Sequence, residues 1–193
     1  ERIRDLMRIV PKGRSSVLDI GAREGTVTLR LTAYFDRVAA LDIVKSDIRH
    51  DKVENVLGNV TALDFADDSF DVVFCTELLE HIQPGLLGRA CSEIVRVARY
   101  DVVIGVPYRQ DLRNGRTRCL SCGRLNPPWG HVNSFDESGL VGFFESLDPV
   151  SITYVGHNRD RTCALADRLM DWGGNPWGTY CQEEVCIHCG CKL

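Results

Sequence analysis

Residues 17–25, Val-Leu-Asp-Ile-Gly-Ala-Arg-Glu-Gly, restrict the fold more than any other stretch of the chain. A short apolar run carrying Asp19 meets a glycine turn, and a helical pattern begins at once. Glycine turns the backbone tightly and lets it approach a ligand without a Cβ in the way. The stretch reads as strand, turn and helix: the opening of a βαβ unit, with a site for a nucleotide-like ligand at the turn.

The rest of the chain repeats that rhythm. Apolar runs predict strands at 16–20, 37–41, 52–57, 70–75, 101–106 and 149–157, the fourth of them a near-continuous apolar segment of the kind buried at the centre of a parallel sheet. Helical spacing covers 1–10, 26–35, 86–98, 135–145 and 162–172. Alternating strands and helices predict an α/β fold with a Rossmann-like, doubly wound, mostly parallel sheet. Residues 108–133 break the pattern and read as an irregular insertion, and 173–193 as an irregular tail. With 193 residues, 44% of them hydrophobic, residues 1–193 suit a single domain. The net charge of −4 gives no basic footprint and demotes nucleic acid as a partner. No apolar run approaches the roughly 18–20 residues that span a bilayer, and no apolar leader opens the sequence, so the expected location is cytoplasmic.

In such sheets ligands sit beyond the carboxyl ends of the strands. Polar groups stand at four of these ends: Asp19 by the first turn, Asp42 after the second strand, Gly58-Asn59 after the third and Thr76-Glu77 after the fourth. A pyrophosphate-binding turn wants Gly-x-Gly-x-x-Gly, whereas this turn has Gly21 and Gly25 with Arg23 between them. Asp19 would repel a pyrophosphate but suits a ligand with a cationic amino group and no phosphate. On these residues, 17–107 resemble a class I S-adenosylmethionine-dependent methyltransferase, of the broad group acting on small molecules, glycans and lipids. VLDIGAREG is similar to its first motif, Asp42 to its ribose-binding acid, and 58–82 to the run from the adenine-binding segment through the fourth strand; Gly130-His131-Val132-Asn133-Ser134-Phe135 is similar to the segment before its late helix. The resemblance implies that Asp19, Gly21, Ala22 and Gly25 surround the methionine portion of S-adenosylmethionine. It implies further that Asp42 and Ile43 hold the ribose and one adenine face, Asn59 and Val60 meet the adenine edge, and Thr76 lies near the sulfonium. Two positions depart from the family pattern: Arg23 stands for the usual middle glycine and Asn59 for the usual aspartate.

Methyl transfer from a sulfonium needs alignment above all, and a base where the nucleophile starts protonated. Glu77, Glu80 and His81 lie beside the expected cofactor, and a helix there would put Glu77 and His81 on one face. His81 is a candidate general base, with His131 a second and Tyr108 a candidate wall of the acceptor pocket. The expected acceptor is a small molecule, glycan or lipid, methylated on oxygen. Glu77, Glu80, His81 and His131 also resemble the ligand set of metal-dependent small-RNA 3′-terminal methyltransferases, where a divalent ion orients terminal hydroxyls. A third alternative is a zinc-containing binding module that keeps the fold without turnover. His50, His157 and His188 read as surface histidines.

Of nine cysteines, all but Cys75 and Cys91 lie beyond residue 118. Those two sit in a strand and a helix, where cysteine acts as a small hydrophobe. Cys119-Leu-Ser-Cys122-Gly123 and Cys186-Ile-His-Cys189-Gly190 are paired CxxCG knuckles, which predict a structural Zn²⁺ held by Cys119, Cys122, Cys186 and Cys189. Cys191 and His188 compete as ligands at the second knuckle, while Cys163 and Cys181 read as buried or free thiols.

Overall fold

The computed structural model describes residues 2–156, 162–173 and 185–193. Its central strand is β1 (Ser16–Ile20), which pairs in parallel with β2 (Arg37–Asp42) and with a later strand, β4 (Phe70–Thr76). β3 (Val53–Leu57), between them in sequence, extends the sheet beyond β2, and β5 (Ala98–Gly105), after β4, extends it on the other side. All four ladders are parallel, in the order β3-β2-β1-β4-β5. The chain therefore reverses its direction of winding between β1 and β4, which places a crevice at their carboxyl ends.

Burial explains why these segments pair. Val17, Leu18, Val72, Val73 and Phe74 are wholly buried, so β1 and β4 are covered on both faces. On one face, α3 (Pro84–Val97) starts with a proline in its first turn, where no amide partner is lost, and buries Leu87, Ala90, Cys91, Ile94 and Val97 against Leu18, Ile20, Val73 and Cys75. On the other face, α1 (Arg2–Arg8) and α2 (Thr28–Leu31) bring Leu6, Met7, Leu31 and Phe35 against Val17, Val38, Val72, Phe74 and Val103. Cys75 and Cys91 are part of the core, as their surroundings in sequence predict.

Several elements differ from expectation. The helix expected over 26–35 is regular only at Thr28–Leu31 and continues as turns closing on the Leu31 carbonyl. The helix expected over 135–145 is α4 (Glu137–Val141), capped by the Asp136 carboxylate on the Gly139 amide. Residues 149–156 form no ladder among the described residues, and Val150, Ile152 and Tyr154 are exposed; their β-branched and aromatic content had no neighbouring strand to pair with. His157 and Cys181 lie outside the described residues.

The insertion contains a short hairpin of β6 (Thr117–Arg118) and β7 (Leu125–Asn126), followed by a 3₁₀ turn at Pro128–Gly130. The last helix, α5 (Ala164–Trp172), is clasped to it by Arg116, which donates to Asp167 at 2.6 Å and also to Asp171. Asp111 accepts from the Thr162 amide, and Arg113 donates to the Thr162 carbonyl. Among the described residues no helix is long and apolar enough to cross a membrane.

Candidate active site and thiol cluster

The turn after β1 has Gly21, Arg23 and Gly25 in left-handed conformations, with φ of 82°, 44° and 81°. A Cβ on Gly25 would lie 2.7 Å from the Ile48 side chain, so both backbone and space require glycine there. Arg23 adopts the left-handed geometry that costs an L-residue about 1 kcal/mol. Its amide donates to Asp42 Oδ2 at 3.0 Å and its side chain is exposed. The Gly21 and Ala22 amides both donate to the Leu41 carbonyl, and the Gly25 amide to that of Ala22. These bonds tie the turn to the end of β2. The buried Asp19 carboxyl beneath it suits a cationic group better than a phosphate.

Asp19 is 2% exposed and accepts from Thr28 Oγ1 at 2.6 Å. Burial pushes its carboxyl up to about 6; the Thr28 hydroxyl partly opposes this and the Asp42 charge adds to it. Asp42, at the end of β2, accepts the Arg23 amide on Oδ2 and the Val44 amide on Oδ1. Each oxygen keeps a second lone pair, enough for a ribose diol. Beside it, Ile43 is 73% exposed, bare apolar surface of the kind a purine face covers. Asn59 is exposed, and its Oδ1 accepts from the Thr61 amide and hydroxyl. Val60 points into the core, leaving its main chain for any ligand contact. Thr76 ends β4 half-buried, against Gly105. These groups share one edge of the sheet and fit S-adenosylmethionine: a buried acid at the turn, a second acid at the next strand end and an exposed apolar residue beside it.

Past Thr76 the expectation of one helix carrying Glu77 and His81 is corrected. Glu77 has a φ of 57°, donates its amide to the Gly105 carbonyl and pairs its carboxylate with Arg2 at 2.7 Å. A left-handed residue tied to the neighbouring strand cannot begin a helix, and a single 3₁₀ turn, Leu79–His81, follows. That turn instead brings Glu80 and His81 together with His131 from the insertion. One ligand atom from each of the three lies within 4.8 Å of the others. The His81 and His131 rings meet edge to face with centroids 4.5 Å apart.

Glu80 is fully buried, and neither carboxyl oxygen is hydrogen-bonded by another of the described residues. Burial raises it to about 7, its own backbone amide partly offsetting this and the Glu77 charge adding to it. Burial and the neighbouring His81 lower His131 to about 4, so that imidazole is neutral at physiological pH. The insertion delivers His131 through the Pro128–Gly130 turn and anchors it on both sides. The Val132 and Asn133 amides donate to the Glu80 carbonyl, and Asn133 Nδ2 donates to the Leu79 and Ile82 carbonyls. Gln110, which sequence reasoning missed, places its Oε1 2.6 Å from His131 Nδ1. No motif marks it; its relevance depends on the 108–110 segment lying beside 131–135, where Tyr108 bridges to Phe135. Tyr108 is 44% exposed, bonded to Glu137 and packed on Tyr154.

The four knuckle cysteines converge as the spacing predicts. Cys119 Sγ lies 3.7 Å from Cys189 Sγ and Cys122 Sγ 3.6 Å from Cys186 Sγ, with all four within 4.8 Å of one another. Tetrahedral sulfurs at the usual zinc–thiolate distance stand about 3.8 Å apart. Both knuckles close alike: Gly123 donates to the Cys119 carbonyl and Gly190 to that of Cys186, each glycine at φ near 70°. The Cys122 and Ser121 amides lower the Cys119 thiol; at Cys186, against desolvation, the His188 and Cys189 amides bring the thiol to about 6. His188 turns to the Leu125 carbonyl, and Cys191 accepts the Cys186 amide on its own carbonyl; neither joins the cluster. Cys163 is exposed and caps α5.

Comparison with known proteins agrees with this geometry. Residues 18–104 match the family model described as a methyltransferase domain. Over 95 residues the chain is 34% identical to the uncharacterized methyltransferase YcgJ of Bacillus subtilis, covering 44% of this chain but 37% of that protein. The YcgJ crystal structure superposes with a TM-score of 0.56 at 20% identity over 75% of this chain and 66% of that one. A Bacillus halodurans protein superposes with a TM-score of 0.59 at 19% identity, over 75% and 67% of the two chains. A SAM-dependent methyltransferase from Methanosarcina mazei gives 0.56 at 20%, over 73% and 82%. Strand order and the family match together give residues 18–104 the Rossmann-like fold of a methyltransferase domain.

Proposed function

We propose that this protein transfers the methyl group of S-adenosylmethionine to an oxygen of a small-molecule, glycan or lipid acceptor. The observation that carries the reading is the meeting of Glu80, His81 and His131 at the strand edge that also holds Asp19, Asp42 and Thr76. When bound, S-adenosylmethionine supplies an electrophilic methyl group. Asp19 and Asp42 bind and orient it through its ammonium and ribose groups, with Ile43 against the adenine. His131, neutral and buried, takes the proton from the acceptor hydroxyl, with His81 packed on its ring and Glu80 beside both. Glu77 is a tether to Arg2 in this arrangement rather than a base. The chain acts as one domain, with the 108–133 insertion and the 173–193 tail stapled by a Zn²⁺ on Cys119, Cys122, Cys186 and Cys189. Four thiolates leave that metal no open position, so its role is structural, and reduced thiols suit a cytoplasmic setting.

The buried carboxyl of Glu80 favours a second reading, in which Glu80, His81 and His131 hold a divalent cation that orients acceptor hydroxyls, as in the RNA-terminal enzymes the sequence resembles. Titration calorimetry and methyl-transfer assays separate the possibilities. The first reading expects one S-adenosylmethionine site and turnover that survives a chelator too weak to strip the thiolate zinc. Turnover restored only by Mg²⁺ or Mn²⁺ would establish the second. Absence of any S-adenosylmethionine binding would leave a non-catalytic zinc module.

A further inference from the structure

Gln110 is hydrogen-bonded to His131 and also lines a pocket. On one side its Oε1 is 2.6 Å from His131 Nδ1. A carboxamide oxygen accepts and cannot donate, so Nδ1 carries the ring proton and Nε2 is left with the lone pair. The ring is 8% exposed, edge to face with His81 and 5.9 Å from Trp129 between centroids, so it has little room to turn over and exchange its nitrogens. The backbone around the pair is fixed as well: Ser134 Oγ donates to the Gln110 carbonyl at 2.8 Å, and the Arg109 amide to the Phe135 carbonyl at 2.7 Å. On its other side Gln110 lines a pocket of about 440 Å³ with Arg109, Asp111, Leu112, Arg113 and Thr162. One side chain is thus a wall of that pocket and the hydrogen-bond partner of His131.

We propose that Gln110 is a positioning residue for methyl transfer: it holds His131 in the Nδ1–H tautomer, leaving Nε2 to accept from the reacting group. The proposal rests on the reading that His131 works at the reacting site. A base in the other tautomer would present a donor where an acceptor is needed, so the hydrogen bond from Nδ1 decides whether the ring can serve. A molecule that fills the pocket touches the residue that sets this tautomer, which couples occupancy there to the state of His131.

Nitrogen-detected NMR of imidazole-labelled full chain tests this, in wild type, Gln110→Glu and Gln110→Leu. Wild type and Gln110→Glu, which keeps an acceptor oxygen, should both show His131 protonated at Nδ1. Gln110→Leu, similar in volume but without an acceptor, should lose that pattern while still unfolding cooperatively, at a midpoint a few degrees below wild type. An unchanged Nδ1–H signature in Gln110→Leu would overturn the proposal. Adding S-adenosylmethionine to wild type examines the underlying reading separately. A shift at His131 Nε2 supports its place beside the cofactor; no shift, with the tautomer still dependent on Gln110, would remove His131 from the reacting site and leave its positioning intact.

Discussion

Asp19 shows how one side chain carries opposing demands. Its carboxyl is wholly enclosed and rises from 3.8 to about 6 because desolvation outweighs the Thr28 hydrogen bond. A folded-state value above the unfolded one means that the folded protein binds the extra proton. Stability from this group is therefore greatest below about pH 4 and falls by about 3 kcal/mol as the pH rises to 6. A cationic cofactor has the reverse preference, since it is attracted by the carboxylate. The predicted outcome is S-adenosylmethionine affinity that is greatest near pH 7, weakens about tenfold per unit below 6 as Asp19 is protonated, and falls again above about pH 8 as the cofactor's amino group loses its proton. Asp19→Asn should abolish the stability trend and the acid-side loss of affinity: urea midpoints at pH 7 should rise relative to wild type while calorimetric affinity drops at least tenfold, or about 1.5 kcal/mol. A wild-type affinity that does not weaken below about pH 6 would show that the ammonium is held elsewhere.

At the scale of elements, the insertion is the part that makes this sheet specific. It carries the Cys119–Cys122 knuckle and, near its end, His131, and it clasps α5 through Arg116, Asp111 and Arg113. Its own apolar core is small, so its order depends on those ties. Stripping the proposed Zn²⁺, or Cys122→Ser, should raise amide exchange across 108–133, 162–173 and 185–193 while β1–β5 stay protected. Acceptor turnover should fall about tenfold or more with S-adenosylmethionine affinity retained; equal loss of both would show that the staple supports the whole sheet. Much of this was legible in the sequence. Strands β1, β2 and β4 follow apolar runs because their burial leaves a continuous signature, β3 and β5 are weaker runs on the less buried flanks, and the knuckles follow from cysteine spacing. The Pro84–Val97 helix follows from its 3.6-residue stripe. The failures share a cause. Residues 149–156 have strand-like composition but no partner, and Glu77 has helical neighbours but a backbone turned by its bond to Gly105 and its pairing with Arg2. In both, the deciding contact is distant in sequence and has no local pattern; the same is true of Gln110 on His131.

For the molecule as a whole, Glu80 weighs function against stability. A fully buried carboxyl with no hydrogen bond from another described residue is a cost to the fold, and nothing in the packing of β4 against α3 requires an acid there. Proteins tolerate such a group when the site needs it. Glu80→Gln keeps the volume, removes the charge and supplies an amide that can donate to an imidazole nitrogen. In metal-free buffer the variant should be more stable than wild type by about 1–3 kcal/mol, read as a higher urea midpoint with unchanged slope, and should have lost methyl transfer. A divalent cation held by Glu80, His81 and His131 would invert the order, because ligand bound to the folded state stabilises wild type in proportion to its concentration and the variant much less. Urea titrations with and without Mn²⁺ therefore decide between the two roles of the cluster. A variant that gains stability in both conditions assigns Glu80 to proton transfer or orientation; one that gains it only without the ion assigns Glu80 to metal binding.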